Sequence, residues 1–98
     1  MKKTGSRKSR TFMKLIDAFV ENNYEKHVEF RLRNGDVCRG FLDDSEWEGS
    51  VFRVHLSDVD LNGRVVSEVY VEAPEIVEAV ALEAPSGPDA PPDTLIFD

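Results

Sequence analysis

Residues 32–44, "LRNGDVCRGFLDD", decide how the rest of the chain is read. Asn34-Gly35 sits between two runs that alternate apolar and polar side chains, the pattern of a β-hairpin. Upstream, Val28, Phe30 and Leu32 alternate with Glu29, Arg31 and Arg33; downstream, a second strand runs from Val37 to Leu42. An ordinary hairpin gives no reason for Gly40 in the middle of the outgoing strand. Glycine lacks the Cβ that would obstruct a kink or the close approach of another backbone, so Gly40 predicts a sharp bend, with Phe41 and Leu42 carrying the strand onward.

Working outward, "DDSEWEGS" (43–50) reads as an acidic loop. In "VFRVHL" (51–56), Phe52, Val54 and Leu56 then alternate with Arg53 and His55 as a third strand. A second turn pair, Asn62-Gly63, leads into a fourth strand, "RVVSEVYV" (64–71), and a short "EAPE" precedes a fifth, "IVEAVAL" (76–82). Before the hairpin, Phe12, Leu15, Ile16, Phe19 and Val20 mark one face of a helix, with Ser9 or Thr11 as its N-cap and Asn22-Asn23 as its end. Five short antiparallel strands cannot stay flat and still bury a core. The expected fold is therefore mainly β: an N-terminal α-helix, then a five-stranded, strongly bent antiparallel sheet forming a small barrel, with the helix across one open end.

Composition divides the chain into a flexible basic arm (1–10), a folded domain (11–82) and a Pro-rich, acidic, disordered tail (83–98). The end of the tail, Leu95-Ile96-Phe97, is apolar, which sets docking onto a neighbour against a mobile terminus. Of 98 residues 41% are hydrophobic, enough for one globular domain, and no apolar run approaches the ~20 residues of a membrane span. With no visible secretion leader, a soluble, cytoplasmic protein is expected. The single cysteine, Cys38, has no partner for a disulfide and no neighbouring ligands for zinc, so it reads as a small buried side chain.

Charge is segregated. Residues 1–16 hold six basic side chains (Lys2, Lys3, Arg7, Lys8, Arg10, Lys14) and no acidic one, while the other six basic and all nineteen acidic residues follow. Such a body repels phosphate backbones, so any nucleic acid should meet the arm first.

The stretch "FRLRNGDVCRGFLDDSEWEGSVFRVHL" (30–56) resembles the first conserved segment of the Sm and Sm-like (LSm) proteins, which include the bacterial Hfq. Gly35, Gly40 and Leu42 match that pattern in register, and the order of helix, strands and turns matches over residues 11–82. The resemblance implies an Sm-like, SH3-like barrel. It also implies a homo-oligomeric ring in which strand four of one subunit pairs with strand five of the next, and binding of single-stranded RNA without catalysis. Such pairing would remove edges that "VSEVYV" and "IVEAVAL" otherwise leave open.

The implied RNA pocket is degenerate here. Glu46 stands at the family's aspartate position, Glu48 at the stacking position, Gly49-Ser50 in place of a methionine-asparagine pair, and Glu72-Ala73 in place of arginine-glycine. Trp47, one residue before the stacking position, is the alternative base platform, set against a purely packing role. The candidate RNA-binding residues are accordingly Glu46, Trp47 and Ser50 in the loop, and Lys2, Lys3, Arg7, Lys8, Arg10 and Lys14 in the arm. Asp43, Asp44, Glu46 and Glu48 invite a divalent cation but lack the spacing of an EF-hand, and His27 and His55 have no acid at fixed spacing. No catalytic group, metal site or cofactor is expected. The competing expectation is a protein-interaction scaffold that keeps the fold without binding RNA.

Overall fold

The computed structural model describes residues 2–83 and 94–96, with helix side chains from Phe12 onward. Helix α1 (Lys2–Asn22) is followed by β1 (His27–Leu32), β2 (Val37–Glu48), β3 (Val51–Leu61), β4 (Arg64–Glu72), a single 3-10 turn (Ala73–Glu75), β5 (Ile76–Ala81) and β6 (Thr94–Ile96). All neighbouring strands pair antiparallel, in the order β4-β3-β2-β1-β5-β6.

Both Asn-Gly pairs make the turns expected of them. At the first, the Leu32 N–H donates to Asp36 O at 2.8 Å and the Gly35 N–H to Leu32 O at 2.9 Å, closing a three-residue loop with Gly35 at φ 96°. At the second, Asn62 (φ 54°) and Gly63 (φ 90°) both take the left-handed region, as a two-residue hairpin turn requires. The two tips are tied together: Asn62 Oδ1 accepts from the Val37 N–H at 2.9 Å, and its Nδ2 donates to Asp36 Oδ1 at 2.9 Å.

Gly40 is a point of close approach. A Cβ on it would lie 3.0 Å from Ser57 O, 3.0 Å from Val59 Cγ2 and 3.3 Å from Val59 Cα. Directly opposite, the pairing slips between Arg39 and Phe41, and Asp58 adopts φ 50°. This bulge explains a break in the alternation of β3, where Phe52, Val54 and Leu56 point inward and the next buried residue is Val59. Without the extra residue Asp58 would face the core. The missing side chain at Gly40 makes room for Val59, and a second slip between Leu42 and Asp44 adds to the bend.

Phe30, Phe52, Ile16, Leu42, Leu56 and Ile76 are the largest fully buried side chains. The helix supplies Met13, Ile16, Phe19 and Val20 to this core and packs on the 3-10 turn and β3, with Phe19 and Phe30 rings 6.1 Å apart. Two positions on the expected helix face differ. Leu15 is exposed and Met13 buried, because the face is centred between Met13 and Phe19, and Leu15 points well to one side of it. Phe12 is only partly buried. The helix ends as expected at Asn22, with Asn23 Nδ2 donating to Phe19 O at 2.8 Å.

Three further expectations are corrected. The backbone of α1 is helical from Lys2, through the segment taken as an arm and past the N-cap placed at Ser9 or Thr11. Residues 43–48 are not a loop: β2 runs to Glu48 and meets β3 across a two-residue turn, Gly49-Ser50. Cross-strand pairs hold this extension, Trp47 opposite Phe52 and Glu46 opposite Arg53. Finally, within the region taken as a disordered tail, Thr94–Ile96 forms β6 on the outer side of β5, and Leu95 packs against the core. The open β5 edge offers unpaired backbone groups, and this β-prone tripeptide takes them. Residues 84–93 and Phe97 lie outside the described residues.

Candidate nucleic-acid interface

The long β2–β3 hairpin and the end of β4 bring the pocket positions together. Register pairs Arg53 with Glu46 on one side and Glu72 on the other, so the hairpin tip lies beside the junction between β4 and β5. Glu46 and Glu72 thus flank Arg53 on neighbouring strands. Arg53 Nη2 donates to Glu46 Oε2 at 3.0 Å and also to Glu48 Oε1, so its guanidinium is spent on two carboxylates. Its Nε is buried without a hydrogen-bond partner. The guanidinium also lies over the Tyr70 ring, 5.7 Å from the centroid.

Ser50 is exposed in the turn beside Gly49 (φ 64°). Glu72 is exposed at the end of β4, whereas Ala73 is fully buried and presents no surface to a ligand. Trp47 is 46% exposed and packs one side on Phe52, with ring centroids 5.1 Å apart at 45°. Its ring is thus partly covered by the protein itself.

Next to the tip, a shallow groove is lined by Asp44, Ser45, Glu46, Arg53, His55 and Tyr70. His55 stacks on Tyr70 at 4.6 Å, with its Nε2 2.6 Å from Glu68 Oε1 and its Nδ1 3.4 Å from Asp43 Oδ2. The Tyr24 hydroxyl reaches Ser45 Oγ across the groove's edge. Asp43, Asp44, Glu46, Glu48, Glu68 and Glu72 thus surround one guanidinium and one imidazole, a strongly negative environment for a phosphate. Among the described residues, no group of three or more His, Cys, Asp or Glu side chains is arranged to hold a metal ion.

Elsewhere, His27 does have a partner, Glu83, whose Oε2 accepts from the His27 backbone N–H at 2.7 Å and lies 2.7 Å from its Nδ1. These hydrogen bonds hold the Glu83 carboxyl below its usual range. Burial and, secondarily, Asp36 push the fully buried Cys38 thiol up. In the basic segment, Lys14 is exposed, while the side chains of Lys2, Lys3, Arg7, Lys8 and Arg10 lie outside the described part.

Sequence reasoning overlooked Arg53, set His55 aside for want of an acid although Glu68 and Asp43 flank it, and overlooked Tyr70 and Tyr24. The signal for the first three was the alternation itself. Carrying the period-2 pattern of β3 back across a tight turn puts Arg53 and His55 on the same outer face as Asp44, Glu46 and Tyr70.

No protein-family model matches the chain, and neither does any curated protein. Among solved structures, a novel Sm-like archaeal protein from Pyrobaculum aerophilum superposes with a TM-score of 0.59 at 22% sequence identity, covering 68% of this chain and 51% of that one. The fold is Sm-like. At this identity the likeness extends to the fold alone, with no specific tie to Hfq, and it spans about half of the archaeal protein's length. Within the Sm-like fold, the pocket positions of the resemblance fall where the acidic face lies.

Proposed function

We propose that this chain is a non-enzymatic Sm-like protein that associates with copies of itself through its sheet edges, as in an Sm-like ring. In this reading it engages single-stranded RNA through the basic turns of α1, and its uridine pocket is degenerate. One observation carries the reading. Residues 1–16 hold six cations and no carboxylate, while Arg53 at the pocket is held by Glu46 and Glu48. Self-association is supported by β4, an edge strand on which Val65 is 87% and Tyr70 59% exposed. A cytoplasmic setting fits the single unpaired thiol of Cys38.

Fluorescence anisotropy with labelled oligo(U) and oligo(A) tests it. Binding should be equal for the two and weaken steeply with salt, with a log–log slope of up to about −4 if six cations per chain contact phosphates. Replacing Lys2, Lys3, Arg7, Lys8 and Arg10 with glutamine should abolish it. Base-selective, salt-tolerant binding would overturn the reading in favour of a working pocket. A complete lack of binding at low salt would favour the second reading, a protein-interaction scaffold, for which the carboxylate-lined face of β2, β3 and β4 is the specific support.

A further inference from the structure

The two outer edges of the sheet are treated differently. β4 is nine residues long, and no strand covers its outer side among the described residues. β5 carries β6, which pairs Glu78 with Ile96, Ala79 with Leu95 and Val80 with Thr94. The cover is partial. Ile76, Val77 and Ala81 have no partner in β6, Leu95 is its only anchor in the core, and Ile96 is 70% exposed.

We propose that β6 is an internal occupant of an assembly edge: it holds the outer side of β5 against the β4 edge of a second copy, and leaves when two copies join. The inference rests on the self-association proposed above. Strand lengths favour the exchange, since β4 has nine residues and can span all six of β5, where β6 spans three. Displacement thus trades a short ladder for a longer one and removes the bare β4 edge as well.

What β6 has in its favour is the chain itself. Ten residues, 84–93, connect Glu83 to Thr94, and a covalent tether of that length sets an effective concentration of roughly millimolar. The tether therefore favours the internal strand as protein is diluted, and association sets in as concentration rises. The tether "APSGPDAPPD" holds four prolines, residues that lack the N–H a ladder needs. The device makes assembly responsive to anything that draws the tail away.

Light scattering after size exclusion, from low micromolar to near-millimolar protein, tests this on the full chain. Leu95→Asp removes the anchor of β6 and should assemble at concentrations about tenfold or more below those the wild type needs. Adding Val65→Lys, a charge at the 87% exposed position on β4, should return that variant to monomer. A synthetic peptide of residues 93–98, in excess, should dissociate the assembled Leu95→Asp variant. It should do the same to wild type at high concentration, which keeps the test available if Leu95→Asp fails to fold. Equal association of wild type and Leu95→Asp would overturn the proposal while leaving self-association intact. Monomers throughout would overturn self-association, and the proposal with it. Assembly indifferent to both Val65→Lys and the peptide would place the contact elsewhere and also overturn the proposal.

Discussion

Replacing Gly40 with alanine adds one methyl group at the tightest point of the sheet. Its Cβ would stand 3.0 Å from Ser57 O and 3.0 Å from Val59 Cγ2, with Val59 Cα at 3.3 Å. Two of these three atoms are backbone within the paired part of β3, and Val59 is fully buried, so the neighbours have little room to yield. Overpacking of this kind costs about 1–3 kcal/mol. Against it stands the reduced freedom of the unfolded chain on Gly→Ala, which stabilises by roughly 0.4–1 kcal/mol. The net expectation is a loss of about 1–2 kcal/mol, or a fall in Tm of roughly 5–15 °C for a domain of this size. Circular-dichroism thermal melts of the full chain measure it directly. In a Val59→Ala background the same substitution should cost less, since one of the three contacts is gone. A Gly40→Ala variant melting at or above wild type would refute the view that Gly40 is required by the approach of β3.

The Cys38 thiol should resist an aromatic disulfide reagent at pH 8 in the native state and react once the chain is unfolded in urea, because burial both shields it and disfavours its thiolate. Since its pKa is raised on folding, its contribution to stability is complete below the ordinary thiol range and is lost as pH climbs through the raised value, which urea melts at increasing alkaline pH would register. Trp47→Ala removes a half-exposed ring that packs on Phe52, so it should cost about 1–2 kcal/mol in a urea melt and leave RNA affinity within about twofold. A tenfold loss of affinity in anisotropy would restore Trp47 as a base platform.

Much of this architecture was legible because local physics and global need agree. The alternation of β1 and β3, the left-handed demands of Gly35 and of Asn62-Gly63, and the otherwise unexplained Gly40 each point to the same bent sheet. The failures have physical causes too. "DDSEWEGS" is polar enough to pass for a loop, and only cross-strand partners such as Phe52 and Arg53, invisible to a local reading, make it strand. The start of α1 was lost because Gly5 and a run of like charges argue against a helix, and β6 because prolines dominate the segment before it. At the candidate site, the capture of Arg53 by Glu46 and Glu48 depends on the hairpin's register and had to be seen.

The pairing of β1 with β5 sets an order of events in time. Strands β1 to β4 form a meander of neighbours joined by short turns, whereas Val28 meets Ala81 only after the intervening chain has been laid down. Closing so long a loop is the slow, entropically costly step of folding, and contacts between adjacent hairpins precede it. Strand β5 is therefore placed late, and its outer edge does not exist for any occupant until β1 has received the inner one. On a ribosome, Thr94–Ile96 leaves the exit tunnel after everything it covers. The strand that covers this edge thus follows closely on the edge itself, ahead of any neighbouring copy.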